Sequence, residues 1–202
     1  MATLLPSTRA RQTFEAHGGV LRTSEALRLG VHPTTLYAMR DAGEIECVSR
    51  GLYRLSSLPP LSNPDLATVG LRVPQGVVCL ISALYYHELT TEIPRHVDLA
   101  LRRGGTPPRL DSPPIRVYWF TGKAFSVGVE THEIDEVPVR IYSREKTIAD
   151  CFKYRNKLGL DTALEALRLY LPRRDASTDA LMEAAAVCRV AGVMRPYVEA
   201  LL

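Results

Sequence analysis

The stretch TSEALRLGVHPTTLYAMRDAGEIECVSRGLYRL, residues 23–55, decides the fold of the N-terminal part of the chain. Its pattern predicts two short helices, over 23–29 and 33–40, with Gly30 in the turn between them. Pro33 suits the first position of a helix, because the N–H that it lacks would have no helical partner there. Two helices joined by such a turn are the plan of a helix-turn-helix.

The flanking residues complete a small domain. Residues 7–17 predict a preceding helix, 20–21 an extended link, and Thr23 or Ser24 the cap of the second helix. Residues 44–48 and 52–55 alternate polar and apolar side chains, which predicts a hairpin of two half-buried strands after the third helix. The predicted core is Ala26, Leu27, Val31, Leu36 and Met39.

A helix-turn-helix followed by a hairpin is a winged helix, a fold that binds double-stranded DNA. In such motifs the start of the second helix of the pair, here the helix over 33–40, faces the base edges, and a wing reaches the DNA backbone or the minor groove. Thr hydroxyls bond to bases or phosphates, and Arg forks onto guanine. The predicted DNA-binding residues are Arg22, His32, Thr34, Thr35, Tyr37, Arg40, Ser49 and Arg50.

Two alternatives concern single residues of this set. A different packing of the third helix would bury Tyr37 and leave Thr34, Thr35 and Arg40 exposed. The alternative for Arg50 is a solvated arginine at the tip of a hairpin.

Proline and serine separate this domain from the rest of the chain. The prediction is a winged helix over 1–56, a linker over 57–65, and an α+β domain over 66–202. In the second domain, strand patterns come first and helical patterns follow, which predicts a small, mainly antiparallel sheet with C-terminal helices.

The second domain carries a concentration of arginine along its first strands and the loop between them. A basic patch for nucleic acid or an acidic partner is the functional interpretation, and solvated charges that discourage strand-edge aggregation are the alternative. The residues are Arg95, Arg102, Arg103, Arg109 and Arg116.

Other functional classes have little support. The four cysteines are far apart in the sequence, and no histidine lies at zinc-ligand spacing from any of them. There is no phosphate-binding glycine loop and no nucleophile elbow. Glu145 and Asp150 suggest a metal-dependent nuclease, but Lys146 and Asp150 lie four residues apart and are expected to pair on a helix. We therefore expect no enzyme, cofactor or metal.

Bulk properties fit a regulator. The 202 residues carry a net charge of +3, so the chain as a whole is not a polybasic nucleic-acid binder. No apolar run reaches the roughly 20 residues of a membrane span, and residues 1–11 lack the apolar core of a signal peptide. A cytoplasmic location is expected.

Residues 18–55 resemble the N-terminal winged-helix domain of the AbiEi antitoxin family, most clearly in the wing sequence Arg50-Gly51-Leu52-Tyr53. Further similarities are the segments SALYYH (82–87) and SREKTIADC (143–151), and the stretch 152–169.

The resemblance implies a transcriptional regulator and antitoxin that represses its own operon at inverted repeats. It also implies a nucleotidyltransferase-like toxin that is counteracted without obligatory direct binding, and basic faces of both domains that contribute to DNA binding. The sequence leaves the oligomeric state open, but a homodimer on DNA would help, because a near-neutral winged helix makes few phosphate contacts alone. The alternative is a stand-alone regulator without a toxin.

Overall fold

The computed structural model describes residues 5–135 and 137–202, except for the side chain of Ser49. The chain divides into two compact units, the first ending at Pro64 and the second comprising Asp65–Leu202.

The first unit combines helices with a small antiparallel sheet. Its elements are α1 (Pro6–Glu15), β1 (Val20–Arg22), α2 (Thr23–Arg28), α3 (Pro33–Asp41), β2 (Ile45–Ser49) and β3 (Leu52–Leu55). The strands lie in the order β1-β3-β2. Phe14, Leu36 and Ile45 are buried in the core between helices and sheet, so each element contributes an apolar side chain to it.

Three details of this unit differ from the sequence-based expectation. The extended link is a strand, because Leu21 pairs with Tyr53 of β3. Neither Thr23 nor Ser24 caps α2, since Arg22 occupies the N-cap position without a capping side-chain bond. Leu27 is 41% exposed, outside the core, because Ala26 is the residue that α2 turns inward.

The second unit is built on a mixed sheet. Its strands are β4 (Val77–Val78), β5 (Val97–Arg102), β6 (Ile115–Phe120), β7 (Val129–Ile134) and β8 (Val137–Tyr142). They lie in the order β6-β5-β4-β8-β7. The pairings β4–β5 and β7–β8 are antiparallel, whereas β4–β8 and β5–β6 are parallel.

The helices of the second unit surround this sheet. They are α4 (Pro64–Arg72), α5 (Leu80–Tyr86), α6 (Lys123–Ser126), α7 (Arg144–Lys153), α8 (Arg155–Leu158), α9 (Leu160–Tyr170), α10 (Thr178–Cys188) and α11 (Ala191–Leu201). One apolar cluster joins α5, α7, α9, α10 and α11 to one face of the sheet, and a second joins α4 to the other face. None of the helices formed by the described residues is long and apolar enough to cross a bilayer.

The α+β class and the C-terminal helices agree with the sequence-based prediction, but the sheet is not mainly antiparallel. The short strand β4 was missed, and it lies between β5 and β8, so the sheet is not a series of hairpins. Residues 97–101 of β5 are all buried, as in a strand covered on both faces. Pro196 lies inside α11.

Candidate nucleic-acid interface

The start of α3 is built by its own sequence. His32 is the N-cap residue, and its Nδ1 accepts a hydrogen bond of 3.3 Å from the N–H of Thr34. Pro33 follows at the first helical position, as predicted. Leu36 and Met39 are buried one turn apart, which fixes the helix on the core and turns its opposite face outward.

That outward face carries several of the predicted DNA-binding side chains. Thr34 is exposed and Tyr37 is 43% exposed, so the alternative packing that buries Tyr37 does not occur. The Arg40 guanidinium lies 5.1 Å from the centre of the Tyr37 ring, and its Nε donates to Asp41 at 2.9 Å. The hydrogen bond to Asp41 raises the pKa of Arg40. Contact between Arg40 and a base therefore requires sharing or breaking the pair with Asp41.

Thr35 and His32 face a second feature, a hollow of about 280 Å³ between α1 and the turn before α3. Arg9 and Thr13 of α1 line the same hollow. The hollow thus brings two predicted residues of α3 next to an arginine and a hydroxyl of α1, groups that donate hydrogen bonds to phosphate oxygens.

The β2–β3 turn, which carries Arg50, is hydrogen-bonded to the start of α2. Gly51 has a φ of +73°, which favours glycine, and its carbonyl accepts a hydrogen bond of 2.9 Å from the N–H of Thr23. Arg22 pairs with Leu52 across β1 and β3 and is half-buried. Arg50 is exposed in the turn, and the side chain of Ser49 lies outside the described part of the structure.

The base of the hairpin depends on a residue that sequence reasoning missed. Arg54 is 4% exposed, and it donates to Glu46 across the strands at 2.6 Å and to the carbonyl of Pro59 at 2.5 Å. Glu46 lies opposite Arg54 in the hairpin register, and neither this pairing nor the burial of the guanidinium was predicted from the sequence. This arginine stabilises the β2–β3 hairpin.

Ion pairs limit the positive charge that this unit offers. Its first 56 residues contain seven arginines, no lysine and five carboxylates. Each of four arginines lies within ion-pair distance of a carboxylate: Arg11 with Glu44, Arg28 with Glu25, Arg40 with Asp41 and Arg54 with Glu46. The remaining arginines of this segment are Arg9, Arg22 and Arg50.

The arginines predicted as a basic patch in the second unit occupy different places. Arg95 and Arg116 line a cavity near the start of β5 and β6. Asp98 of β5 lies opposite Arg116 of β6. Arg102, the last residue of β5, is four residues or roughly 13 Å farther along the strand, and Arg103 follows it. Arg109 is exposed in the loop between these strands. The patch is therefore two groups at opposite ends of a strand and one residue in a loop.

The carboxylates considered for a nuclease are held by other side chains. Asp150 is fully buried, accepts a hydrogen bond of 2.5 Å from Lys146, as the spacing predicted, and accepts another from the thiol of Cys188. Glu145 accepts a hydrogen bond of 2.7 Å from the hydroxyl of Tyr170. Burial raises the pKa of Asp150, whereas the pKa of Glu145 is lowered despite its burial, through its hydrogen bonds. Across residues 5–135 and 137–202, no three His, Cys, Asp or Glu residues form a group suited to hold a metal ion.

The solved structures that match this chain include the following two. The crystal structure of RV2827C protein from Mycobacterium tuberculosis matches with a TM-score of 0.57 and 11% identity, over 98% of this chain and 82% of that one. This likeness concerns the fold alone. An antigenic nucleotidyltransferase-like protein from Paracoccidioides brasiliensis is 14% identical over 70% of this chain and 95% of that one, but its TM-score of 0.33 is too low to support an argument.

No curated protein matches the chain. The family model described as "Transcriptional regulator, AbiEi antitoxin" matches residues 9–56, the segment that contains α1, the helix pair and the hairpin. The N-terminal quarter of the chain is therefore similar to the AbiEi antitoxin family of transcriptional regulators.

Proposed function

We propose that residues 1–56 form a winged helix-turn-helix that binds double-stranded DNA and that the chain represses its own toxin–antitoxin operon. In this proposal residues 57–65 are a linker and 66–202 the antitoxin domain, which acts against a nucleotidyltransferase-like toxin. The operator consists of inverted repeats, and two copies of the chain bind it.

One observation carries the DNA-binding part of this proposal. It is the order α2, turn, α3 and hairpin, with the start of α3 exposed and the β2–β3 turn tied to the start of α2 by the Thr23–Gly51 hydrogen bond. Helix-turn-helix proteins insert the start of the second helix of this pair into the major groove. Thr34, Thr35 and Tyr37 are then the candidates for base contact, and Arg22 and Arg50 for phosphate contact.

The test is a gel shift of the full chain on the DNA upstream of its own gene at low salt. We expect a shift that unrelated DNA does not compete away. The double variant Thr35→Ala/Arg50→Ala should bind at least about tenfold more weakly, because it lacks two polar contacts of about 1 kcal/mol each. Arg174→Ala, a change of an exposed arginine in the second unit, is the matched control.

Absence of any shift would remove the repressor function. A shift that the double variant reproduces at unchanged affinity would reject the assigned contacts while keeping the DNA-binding function. Circular dichroism of the variant separates a lost contact from a lost fold.

The antitoxin part has its own test. A neighbouring gene for a nucleotidyltransferase-like toxin, whose toxicity is relieved when this chain is co-expressed, is the expected result. A shift on upstream DNA without such a neighbour would instead support the stand-alone regulator.

A further inference from the structure

The second unit contains a cavity of about 460 Å³ that the DNA-binding proposal does not use. It lies at the start of β5 and β6 and is walled on one side by the loop that leads into β5. Arg95, His96 and Arg116 line it together with Glu92 and Asp98. Its volume is within the range of about 300–1,000 Å³ that is typical of small-molecule sites.

The loop that carries Arg95 is anchored by hydrogen bonds to α9. The carboxylate of Glu165 in α9 accepts hydrogen bonds from the N–H of Thr91 at 2.9 Å and from its hydroxyl at 2.8 Å. The hydroxyl of Thr90 donates to the same carboxylate at 3.1 Å and accepts from the N–H of Glu92, also at 3.1 Å. The loop is thus anchored just before the residues that line the cavity, so the site is largely preformed.

A buried acid sets the orientation of the histidine. Asp98 is 1% exposed, and its Oδ1 lies 3.0 Å from Nε2 of His96. Ser82 Oγ accepts a hydrogen bond of 2.8 Å from the Asp98 N–H, which fixes this pair on α5. Since the carboxylate accepts from Nε2, the ring nitrogen left to a ligand is Nδ1.

The same acid has an unused acceptor. In the part of the chain that the structure describes, Asp98 Oδ2 is buried without a hydrogen-bond partner. Such an orphaned acceptor is costly and calls for an explanation at a functional site. A hydroxyl or amino group of a bound molecule would supply the missing donor after a small adjustment.

From these residues we propose that the β5–β6 cavity binds a small phosphate monoester that carries hydroxyl or amino groups. The two guanidinium groups supply the charge and the forked donors that suit a phosphate. Nδ1 of His96 carries a lone pair in the neutral ring and accepts from a hydroxyl or amino group of the ester. Glu92 and Asp98 accept from the donor groups of the ester. The apolar side chains of Ile81 and Ile93 contact its carbon skeleton.

The acidic residues favour a small ligand over a nucleic-acid backbone. Glu92 and Asp98 line the same concave space as the two arginines, and their charges would repel a polyanion that passes across the site. A compact ester places its single phosphate on the arginines and its donors on the carboxylates.

The test is isothermal titration of the full chain with adenosine 5′-monophosphate, glucose 6-phosphate and inorganic phosphate. We expect one of the two esters to bind with a stoichiometry of one per chain and at least about tenfold more tightly than inorganic phosphate. Arg95→Gln and Arg116→Gln should each weaken binding at least about tenfold, because each removes a charge-assisted hydrogen bond. Arg103→Gln, an exposed arginine beyond the far end of β5, is the matched control and should bind normally.

Three results would overturn the proposal. The first is no binding of either ester at millimolar concentration by a chain whose circular dichroism and thermal unfolding are normal. The second is ester binding that both arginine variants keep, or that inorganic phosphate equals. The third is displacement of a bound ester by unrelated duplex DNA, together with DNA binding that Arg95→Gln and Arg116→Gln weaken but Arg103→Gln does not, which would assign the cavity to nucleic acid.

Discussion

A buried ion pair is the clearest residue-scale feature of the second unit. Lys146 is 1% exposed, bonds to Asp150, and lies over the ring of Tyr142 at 4.1 Å from its centre. Removing one partner of a buried pair leaves an uncompensated charge, whereas replacing both with apolar residues of similar volume is often neutral. The pair therefore stabilises the fold only while both members are present.

We expect Lys146→Met to lower the free energy of unfolding of the second unit by about 3–5 kcal/mol and Lys146→Met/Asp150→Leu to recover most of the loss. Urea unfolding followed by fluorescence reports on this unit, because Trp119 in β6 is the single tryptophan of the sequence. A double variant as unstable as the single one would contradict this account and point to lost packing.

His87 gives a pH-dependent contribution at the same scale. Burial lowers its pKa from the ordinary value of 6.5, against the smaller opposing effects of its bond to the Tyr142 carbonyl and of Glu130. His132 and Arg144 lower the pKa further. The unfolded chain therefore binds more protons at His87 than the folded chain between the folded pKa and 6.5, and stability falls as pH falls through that window.

The expected observation is a difference between two pH profiles. Wild type should lose more stability than His87→Gln when pH is lowered from 7.5 through 6.5, because only the wild type must keep an imidazole neutral in the folded state. Thermal unfolding at each pH measures this, and parallel profiles would contradict it. Taking the difference removes the titration of carboxyl groups that both proteins share.

At the scale of elements, the β2–β3 hairpin depends on Arg54. This guanidinium joins both strands through Glu46 and reaches the chain beyond the hairpin at the Pro59 carbonyl. Its side chain is 5% exposed and that of Glu46 is 52% exposed, so loss of the arginine leaves an acid that water can still solvate. The effect should be smaller than that of breaking a fully buried pair.

Arg54→Met should cost the first unit about 2 kcal/mol, because two charge-assisted hydrogen bonds are lost while the side-chain stem is kept. Glu46→Gln retains an acceptor for the guanidinium and should cost less than about 1 kcal/mol. Amide hydrogen exchange over residues 45–55 measures the two losses separately from the second unit. Equal exchange in Arg54→Met and wild type would show that the hairpin does not depend on this residue.

The elements also show what a sequence makes predictable. Pro33 after His32 and the alternation in 44–48 and 52–55 are local signals, and the structure has α3 beginning at Pro33 and strands over Ile45–Ser49 and Leu52–Leu55. The strand β4 and the link that became β1 were missed, since each is short and exists through pairing with a distant partner. The burial of Arg54 and Asp98 was missed because it depends on packing in the folded chain, which no local sequence signal reports.

At the scale of the whole molecule, the charge of the first unit bears on the proposal that two copies of the chain bind the operator. Among the seven arginines in residues 1–56, Arg11, Arg28, Arg40 and Arg54 lie within ion-pair distance of carboxylates, which reduces the positive charge that one copy of this unit offers to phosphates. If two chains bind inverted repeats, as proposed, the number of arginines available for phosphate contact doubles. In the proposed complex, α3 of each copy contacts the bases, and the affinity depends on both copies.

The salt dependence of operator binding indicates how many chains bind, because it reports the number of phosphate contacts. Each phosphate contact contributes about −0.9 to the slope of log K against log salt concentration. Arg22 adjoins the start of α2, so Arg22→Gln should make the slope less steep by about two if two chains bind, and by about one if a single chain binds.

Fluorescence anisotropy on the upstream DNA, between about 50 and 200 mM salt, gives the slopes. Arg174→Gln should leave the slope of the wild type unchanged, since this residue lies outside the first unit. A slope that Arg22→Gln does not alter would remove Arg22 from the interface. A change of about one would replace the paired arrangement with a single chain on DNA.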